Sequence, residues 1–259
     1  MLLAIDCGNT NIVFAIYDGD EQRASWRISS DSRRSTDEYI VWLTQLMTLK
    51  NIEVADIDGV MIASVVPDIQ LKLVALAHRG FDLAPLCVDD PNVDLGIAIN
   101  INRPDQAGAD RLVNAVAAAA WHKLPAIVID FGTATTLDLI GDKGAYEGGI
   151  IAPGVNLSIE ALYMAAARLP RIAVKPWQAN MPVLGTDTIS AMQSGVFWGY
   201  VGMVEGLLER VRQSYGAGLP AIVTGGLASL FADHINGPLI VDADLTLKGL
   251  VRIHAQNKN

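Results

Sequence analysis

Two segments of the sequence place an aspartate at the end of an apolar stretch and follow it with glycine and small polar residues. They are residues 6–11 (DCGNTN) and residues 130–136 (DFGTATT). A carboxylate at a strand end is poorly solvated, so it needs a cation or hydrogen bonds, and Mg²⁺ takes one or two carboxylates together with phosphate oxygens. Glycine lets the backbone approach a ligand, and the neighbouring amides and hydroxyls donate to phosphate. The pattern predicts two loops that hold a polyphosphate from both sides.

An ordinary hairpin turn with a capping aspartate is the alternative for either loop taken alone. A chance turn has no reason to recur after a second strand, so the repetition favours phosphate binding. Asp6 is the predicted position for Mg²⁺, bound directly or through water.

Asp110 and Arg111 follow Gly108 at the start of an alanine-rich stretch. A carboxylate in the first turn of a helix is favoured by the helix dipole, so a plain capping role is one interpretation. The other is a general base that accepts the proton of a substrate hydroxyl. The guanidinium of Arg111 has the geometry to bind a substrate carboxylate or a phosphate.

Two more glycine-rich segments follow in the second half of the chain. Gly225 and Gly226 come after a short apolar strand, where paired glycines would let the backbone approach adenosine; in a chain with 23 glycines, a chance turn is the alternative. Residues 146–154 (YEGGIIAPG) are predicted to form a loop that either admits a substrate or only turns a corner.

The elements around these segments alternate between strand and helix. Each Asp-x-Gly loop lies within a predicted β-hairpin. Apolar spacing predicts strands over 60–65 and 221–224 and helices over 36–49, 69–77, 109–122, 158–167 and 188–215, the last as one helix or a broken pair. The sequence therefore predicts an α/β protein with two similar subdomains, residues 1–115 and 116–259. We expect a ligand in the cleft between them.

Composition excludes several classes of function. The net charge of −9 disfavours nucleic-acid binding, which requires a basic surface. No apolar run reaches the length of a membrane span, and the first residues lack the features of a signal peptide. Cys7 and Cys87 form no metal-binding spacing and are interpreted as free thiols of a reducing compartment. We expect a cytoplasmic protein.

Seven short segments together identify a family resemblance. They are DCGNTN at 6–11, SVVP at 64–67, GADR at 108–111, DFGTAT at 130–135, GGIIAPG at 148–154, AMQSG at 191–195 and TGG at 224–226. In this order and spacing the chain resembles type III pantothenate kinases over essentially its full length. More broadly it is similar to the actin, Hsp70 and sugar-kinase superfamily, in which such loops are the phosphate-1, phosphate-2 and adenosine motifs. The resemblance implies two ribonuclease-H-like subdomains of the actin-like ATPase fold, with an ATP cleft between them.

The resemblance also implies an activity, its cofactors and its site residues. The activity is ATP-dependent phosphorylation of pantothenate to 4'-phosphopantothenate, the first step of coenzyme A biosynthesis, by a homodimer that uses Mg²⁺ and a monovalent cation, K⁺ or NH₄⁺. Asp110 is the implied catalytic base, and Asp130 the implied ligand of the monovalent cation. The implied ATP contacts are Asp6, Cys7, Gly8, Asn9, Thr10, Asn11, Ile12, Val13 and Thr133. The implied pantothenate contacts are Ile101, Gly108, Ala109, Asp110, Arg111 and Thr188.

One departure and three alternatives stay open at this point. The family often has a tyrosine where this chain has Ile101, so the pantothenate contact there is in question. A regulator that has lost catalysis is disfavoured by the presence of Asp6, Asp110 and Asp130. A filament or chaperone member of the superfamily would leave the GADR segment unexplained. A kinase for a different small alcohol is the alternative that the sequence excludes least.

Overall fold

The computed structural model describes residues 1–166 and 168–258, and the chain forms two units. The first contains β1 (Leu2–Cys7), β2 (Asn11–Asp18), β3 (Glu21–Ser29), α1 (Thr36–Thr48), β4 (Gly59–Ser64), α2 (Pro67–Phe81), β5 (Leu86–Cys87) and α3 (Ala109–Trp121). The second, Lys123–Ala243, contains β6 (Ala126–Phe131), β7 (Ala134–Ile140), β8 (Tyr146–Pro153), α4 (Val155–Ala165), α5 (Thr188–Tyr215), β9 (Ala221–Thr224), α6 (Ala228–Phe231) and β10 (Leu239–Val241). The chain then returns to the first unit with α7 (Leu245–Asn257).

Each unit is built on a five-stranded mixed sheet, and the two sheets have the same topology. The order is β3-β2-β1-β4-β5 in the first unit and β10-β9-β6-β7-β8 in the second. In each, a three-stranded antiparallel meander begins with the central strand, and two further strands run parallel to that strand on its other side. The predicted α/β architecture of two similar subdomains is confirmed.

The central strand β1 is buried on both faces, which explains its nearly continuous apolar sequence. Leu3, Ile5 and Cys7 pack into the core beneath α1 and α2. Leu2 and Ala4 face the opposite way, into the core covered by α3 and α7. Successive side chains of a strand alternate between faces, so Asp6 lies on the α3 and α7 side of the sheet.

Helix α7 packs closely against α3. A Cβ at Gly249 of α7 would lie 2.3 Å from the backbone oxygen of Val113 in α3, so glycine is needed there for the backbones to approach. Thr246 of α7 also donates a hydrogen bond of 2.7 Å to the buried side chain of Asn114. These contacts place the C-terminal helix in the first unit, and α3 continues to Trp121. The observed units therefore differ from the predicted division at 115/116.

In the second unit, alternate residues of β6 pack against α5. Ile127, Ile129 and Phe131 share a core with Phe197, and the Phe131 ring stacks on Phe231 at a centroid distance of 5.5 Å. Helix α5 is one continuous helix of 28 residues, which resolves the two alternatives. It begins at a capping box on Asp187, whose carboxylate accepts two backbone N–H groups.

The prediction of a loop over 146–154 is wrong, because residues 146–153 form β8. This strand pairs with β7 along its length, and Tyr146 and Ala152 are buried. The alternation of buried and exposed side chains that marks a strand is not recognisable in this sequence, because Gly148 and Gly149 have no side chains. Helix α4 begins earlier than predicted, at Val155, and the last residue of that predicted helix, Ala167, lies outside the described residues.

Across the described part of the chain, no helix has both the length and the apolar character needed to cross a membrane.

Candidate active site

The first Asp-x-Gly loop is a compact turn between β1 and β2. The N–H of Gly8 donates to the backbone oxygen of Asn11 at 3.0 Å. Ser30, just after β3, donates from its hydroxyl to Gly8 O at 2.5 Å and from its N–H to Thr10 O at 2.9 Å. Asn9, Thr10 and Asn11 are exposed. Ser30 therefore fixes the backbone of the loop, while the polar side chains of the loop are exposed to solvent.

The other residues of this predicted phosphate site differ in what they can offer a ligand. Cys7 and Ile12 point into the core beneath α1 and α2, and burial raises the pKa of the Cys7 thiol while its hydrogen bond with Ser64 opposes the rise. Val13 packs on the other face of the sheet. These three residues can contact a ligand only through their backbone, whereas Asp6 carries a carboxylate at the strand end.

The second loop, between β6 and β7, is one residue shorter than the first: three residues separate the paired Phe131 and Thr135, whereas four separate the paired Cys7 and Ile12. The N–H of Gly132 donates to Ala134 O at 3.1 Å. The side chain of Thr135 is buried and hydrogen-bonded to the Tyr200 hydroxyl, which donates to Pro153 O at 2.9 Å. Thr133 is exposed at the tip of the loop. Of the threonines in residues 130–136, Thr133 is exposed, whereas Thr135 and Thr136 are buried.

Asp130 and the Gly-Gly turn lie side by side in the second unit. Parallel pairing of β6 with β9 sets Asp130 opposite Thr224. Gly225 has a φ of +93°, and a Cβ there would lie 2.4 Å from Asp130 Oδ1 and 2.6 Å from the N atom of Phe131. The Asp130 carboxylate thus lies directly beside the Gly225 backbone, where there is no room for a side chain. We call this place beside Asp130 Oδ1 and the Gly225 backbone the cradle; its carboxylate oxygen is a donor of the kind that hard cations take.

Gly154 supports the second loop from the end of β8. A Cβ on it would lie 2.0 Å from the backbone oxygen of Thr133 and 2.9 Å from that of Gly132. The glycine at this position is therefore required by the close approach of two backbones. The segment that contains Gly154, GGIIAPG, is recognisable in the sequence, but its contact with the backbone of Thr133 is not.

Asp110 lies in the first turn of α3, and its carboxylate is partly buried there. Its Oδ1 accepts the N–H of Arg111 at 2.8 Å, which is the capping role. Burial nevertheless raises the pKa of this carboxyl, against the lowering by the N–H and guanidinium of Arg111. A Cβ at Gly108 would lie 2.6 Å from Asp110 Oδ1, so this glycine leaves the carboxylate room. A base with a raised pKa is better matched to accept a proton near neutral pH.

Helix α3 brings Asp110 to the same face of the sheet as Asp6. Ala109 is buried in one core with Ala4 and Ala63, which flank Asp6 on β1 and on the adjacent β4. The structure therefore places the first loop and the GADR segment on one face of the first unit.

Two predicted substrate contacts lie apart from these segments in the sequence. Ile101 is partly buried in a bend before the short 3₁₀ helix Pro104–Gln106 of the first unit. Thr188 opens α5 in the second unit and lines an apolar groove of about 730 Å³ together with Met192 and Tyr200.

The structure adds supporting residues that sequence reasoning missed. Ser30 and Tyr200 hold the two loops through hydrogen bonds, and neither belongs to a recognisable motif. Within residues 1–166 and 168–258 no group of three His, Cys, Asp or Glu side chains converges. Cations at this site would thus depend on single carboxylates together with backbone or ligand oxygens.

The repeated sheets with Asp-x-Gly loops at the ends of their central strands define the actin-like kinase class of fold. A family model for type III pantothenate kinase matches residues 2–210. Two type III pantothenate kinases, from Paramagnetospirillum magneticum and Rhodospirillum rubrum, are 55% and 54% identical to the chain. The first alignment covers 99% of this chain and 98% of the relative, and the second 100% and 99%. The chain belongs to the type III pantothenate kinase family.

Solved structures of distant proteins share the fold. A polyphosphate/ATP-glucomannokinase from an Arthrobacter species superposes with a TM-score of 0.51 at 14% identity, covering 99% of both chains. A protein assigned to the Baf family of transcriptional activators, from Campylobacter jejuni, gives 0.61 at 17% identity, covering 98% of both chains. At such identities the likeness establishes the fold alone, so it does not favour a regulatory role.

Proposed function

We propose that this protein phosphorylates pantothenate with ATP to form 4'-phosphopantothenate, the first step of coenzyme A biosynthesis. The observation that carries the proposal is a partly buried carboxylate with a raised pKa, Asp110, on the same sheet face as the Asp6 loop. Family membership supplies the identity of the acceptor, since the relatives are named type III pantothenate kinases. A kinase for another small alcohol is the second candidate, favoured only by Ile101.

In the proposed reaction, the exposed loop of Asn9, Thr10 and Asn11 holds the ATP phosphates by backbone and side-chain donors. The pantothenate hydroxyl oxygen forms a bond to the γ-phosphorus as the bond from that phosphorus to the β,γ-bridging oxygen breaks. Asp110 takes the hydroxyl proton, and ADP leaves with the bridging electrons. Arg111 pairs with the pantothenate carboxylate, beside Gly108 and Ala109. Such a transfer depends chiefly on positioning and charge stabilisation.

The proposed cations match the donors in each unit. Asp6 would hold Mg²⁺ together with phosphate oxygens, and Asp130 would hold K⁺ or NH₄⁺ in the cradle that Gly225 leaves open. When bound, they offset the negative charge of the phosphates. Thr133 at the exposed tip of the second loop is the proposed ATP contact there.

A homodimer and a cytoplasmic location complete the proposal. Thr188 lies at the edge of an apolar groove on α5, and exposed side chains of α4 such as Leu162 and Met164 offer apolar surface for a second copy of the chain. Two free cysteines and the use of ATP suit a reducing compartment.

The direct test is coupled ADP release from Mg-ATP with pantothenate, in K⁺ and with K⁺ replaced by Na⁺. We expect turnover that depends on pantothenate and falls in Na⁺, because the number and field strength of the oxygens around a monovalent cation discriminate K⁺ from Na⁺. Folded protein without turnover in K⁺ or NH₄⁺ would contradict the proposal. Turnover with another alcohol instead would favour the second candidate.

The pH dependence of kcat/KM for pantothenate tests the role of Asp110. The base must be ionised, so activity is lost as pH falls through its pKa. Burial raises that pKa, and we expect the acid limb above the ordinary aspartate value of about 3.9. An acid limb at or below that value would assign proton transfer to another group.

A further inference from the structure

The loop between β3 and α1, residues 30–35, is held against the first phosphate loop. At its start, Ser30 makes the two hydrogen bonds to Gly8 O and Thr10 O described above. In its middle, the ammonium of Lys72 on α2 donates to Ser32 O, and to Arg34 O at 2.9 Å. At its end, Ser35 caps α1 through a capping box with Glu38. The backbone that carries Arg34 is thus fixed at three points.

The Arg34 side chain lies over the aromatic ring of Tyr39. Its guanidinium carbon is 5.6 Å from the centroid of the Tyr39 ring. The Tyr39 hydroxyl is buried; burial raises its pKa, and the charges of Arg34 and of Cys7 both act on it, in opposite directions. Tyr39 shares a hydrophobic core with Cys7, the residue that ends β1 at the phosphate loop.

Arg34 makes no ion pair or side-chain hydrogen bond with any residue in 1–166 or 168–258. Its Nε is buried with no acceptor. The neighbouring carboxylates are bound elsewhere: Asp31 pairs with Arg33 at 3.1 Å, and Glu38 accepts from Ser35 at 2.7 Å. These contacts lower the pKa of both carboxylates and the charge of Arg34 lowers it further from a distance, but neither carboxylate accepts hydrogen bonds from Arg34. An arginine whose buried Nε has no acceptor is costly to retain unless a ligand supplies one.

We propose that Arg34 binds the phosphate chain of the nucleotide, as a cationic contact beside the first phosphate loop. A planar guanidinium held on a ring suits phosphate oxygens, which accept bidentate hydrogen bonds. In a chain with net charge −9, such a cation also offsets repulsion of the incoming polyanion. The inference rests on the proposed ATP-dependent function and adds a specific contact to it.

The test compares Arg34→Met with Arg33→Met. Methionine keeps an unbranched stem on the Tyr39 ring but removes the charge. Arg33 is the matched control because it is the adjacent arginine, highly exposed, and paired with Asp31. Binding of a non-hydrolysable ATP analogue and of adenosine is measured by titration, alongside thermal melting. A charge-assisted phosphate contact predicts that Arg34→Met weakens the analogue about 10- to 100-fold and leaves adenosine within about twofold.

Arg33→Met should leave both affinities within about twofold, and Arg34→Lys should recover part of the loss because it restores the charge. The proposal is overturned if Arg34→Met binds the analogue like the wild type, or if adenosine weakens by the same factor, which would indicate a structural role. Absence of analogue binding by the wild type would also overturn it. Wild-type binding without pantothenate turnover would instead contradict the proposed function, while the binding comparison would still decide the role of Arg34.

Discussion

Replacing Asp110 by asparagine is expected to lower kcat by about 100-fold or more, the usual scale for loss of a general base. Asparagine retains an oxygen that can accept the N–H of Arg111, so the first turn of α3 should remain capped. It cannot accept a proton from the substrate hydroxyl. KM for ATP should change little, because the phosphate loop is untouched. Steady-state kinetics with pantothenate and ATP varied separately provide the measurement.

The same variant should be at least as stable as the wild type at neutral pH. A raised pKa in the folded state means that folding favours the protonated carboxyl, so this group's contribution to stability falls as pH rises from the ordinary aspartate value through the raised one. The asparagine amide is neutral at every pH, so the substitution removes that loss. We therefore expect an unchanged or higher Tm for Asp110→Asn at neutral pH, and no gain in acid.

Asp105→Asn is the matched control for the loss of activity. Asp105 lies on the same segment, is exposed, and pairs with Arg103 at 2.7 Å on the surface. Its replacement should leave kcat within about twofold, because exposed ion pairs contribute little. Near-normal turnover by Asp110→Asn, or an equal loss in both variants, would remove Asp110 from the role of base.

Replacing Gly225 by alanine should damage both stability and cation-dependent activity. The φ of +93° is unfavourable for an L side chain, and the added Cβ would lie 2.4 Å from Asp130 Oδ1 and 2.6 Å from Phe131 N. Strain of this kind typically costs about 1–3 kcal/mol, and displacement of the neighbouring backbone adds to it. We expect the free energy of unfolding to fall by about 2–4 kcal/mol and the K⁺ activation to be lost.

Gly218→Ala is the control for this substitution. A Cβ at Gly218 meets nothing within 4 Å, so a change there tests only the loss of glycine. Urea unfolding and a K⁺ titration of turnover on both variants separate the effects. A Gly225→Ala protein with wild-type stability and an unchanged K⁺ response would show that the turn is not the wall of a cation site.

Much of the candidate site follows from local sequence. The apolar stretches before Asp6 and Asp130 are strands because central strands are buried on both faces, and each Asp-x-Gly segment then falls at a strand end. The helical spacing after Gly108 likewise places Asp110 in the first turn of α3. These features depend on residues close together in the chain, so composition and periodicity are enough to predict them.

Tertiary structure decided which side chains of those segments are exposed and which are buried in the cores. Cys7, Ile12 and Thr135 belong to the loop motifs yet point into the cores, a choice made by the helices that cover each sheet. Strand β8 was hidden because its glycines remove the alternation, and pairing with β7 defines it. The backbone that Gly225 approaches at Asp130 and Phe131, and the Lys72 ammonium that holds the Arg34 backbone oxygen, come from distant parts of the chain.

What the sequence by itself determined was the α/β class, the repeated loops and the family motifs, because these are properties of single strands, turns and helix starts. The structure alone decided that α7 returns to pack on α3, that Ser30 fixes the first loop, and that Gly154 fits against Thr133. Each of these is a contact between segments far apart in the chain. Such contacts follow from how buried surfaces fit together, and a local pattern does not record them.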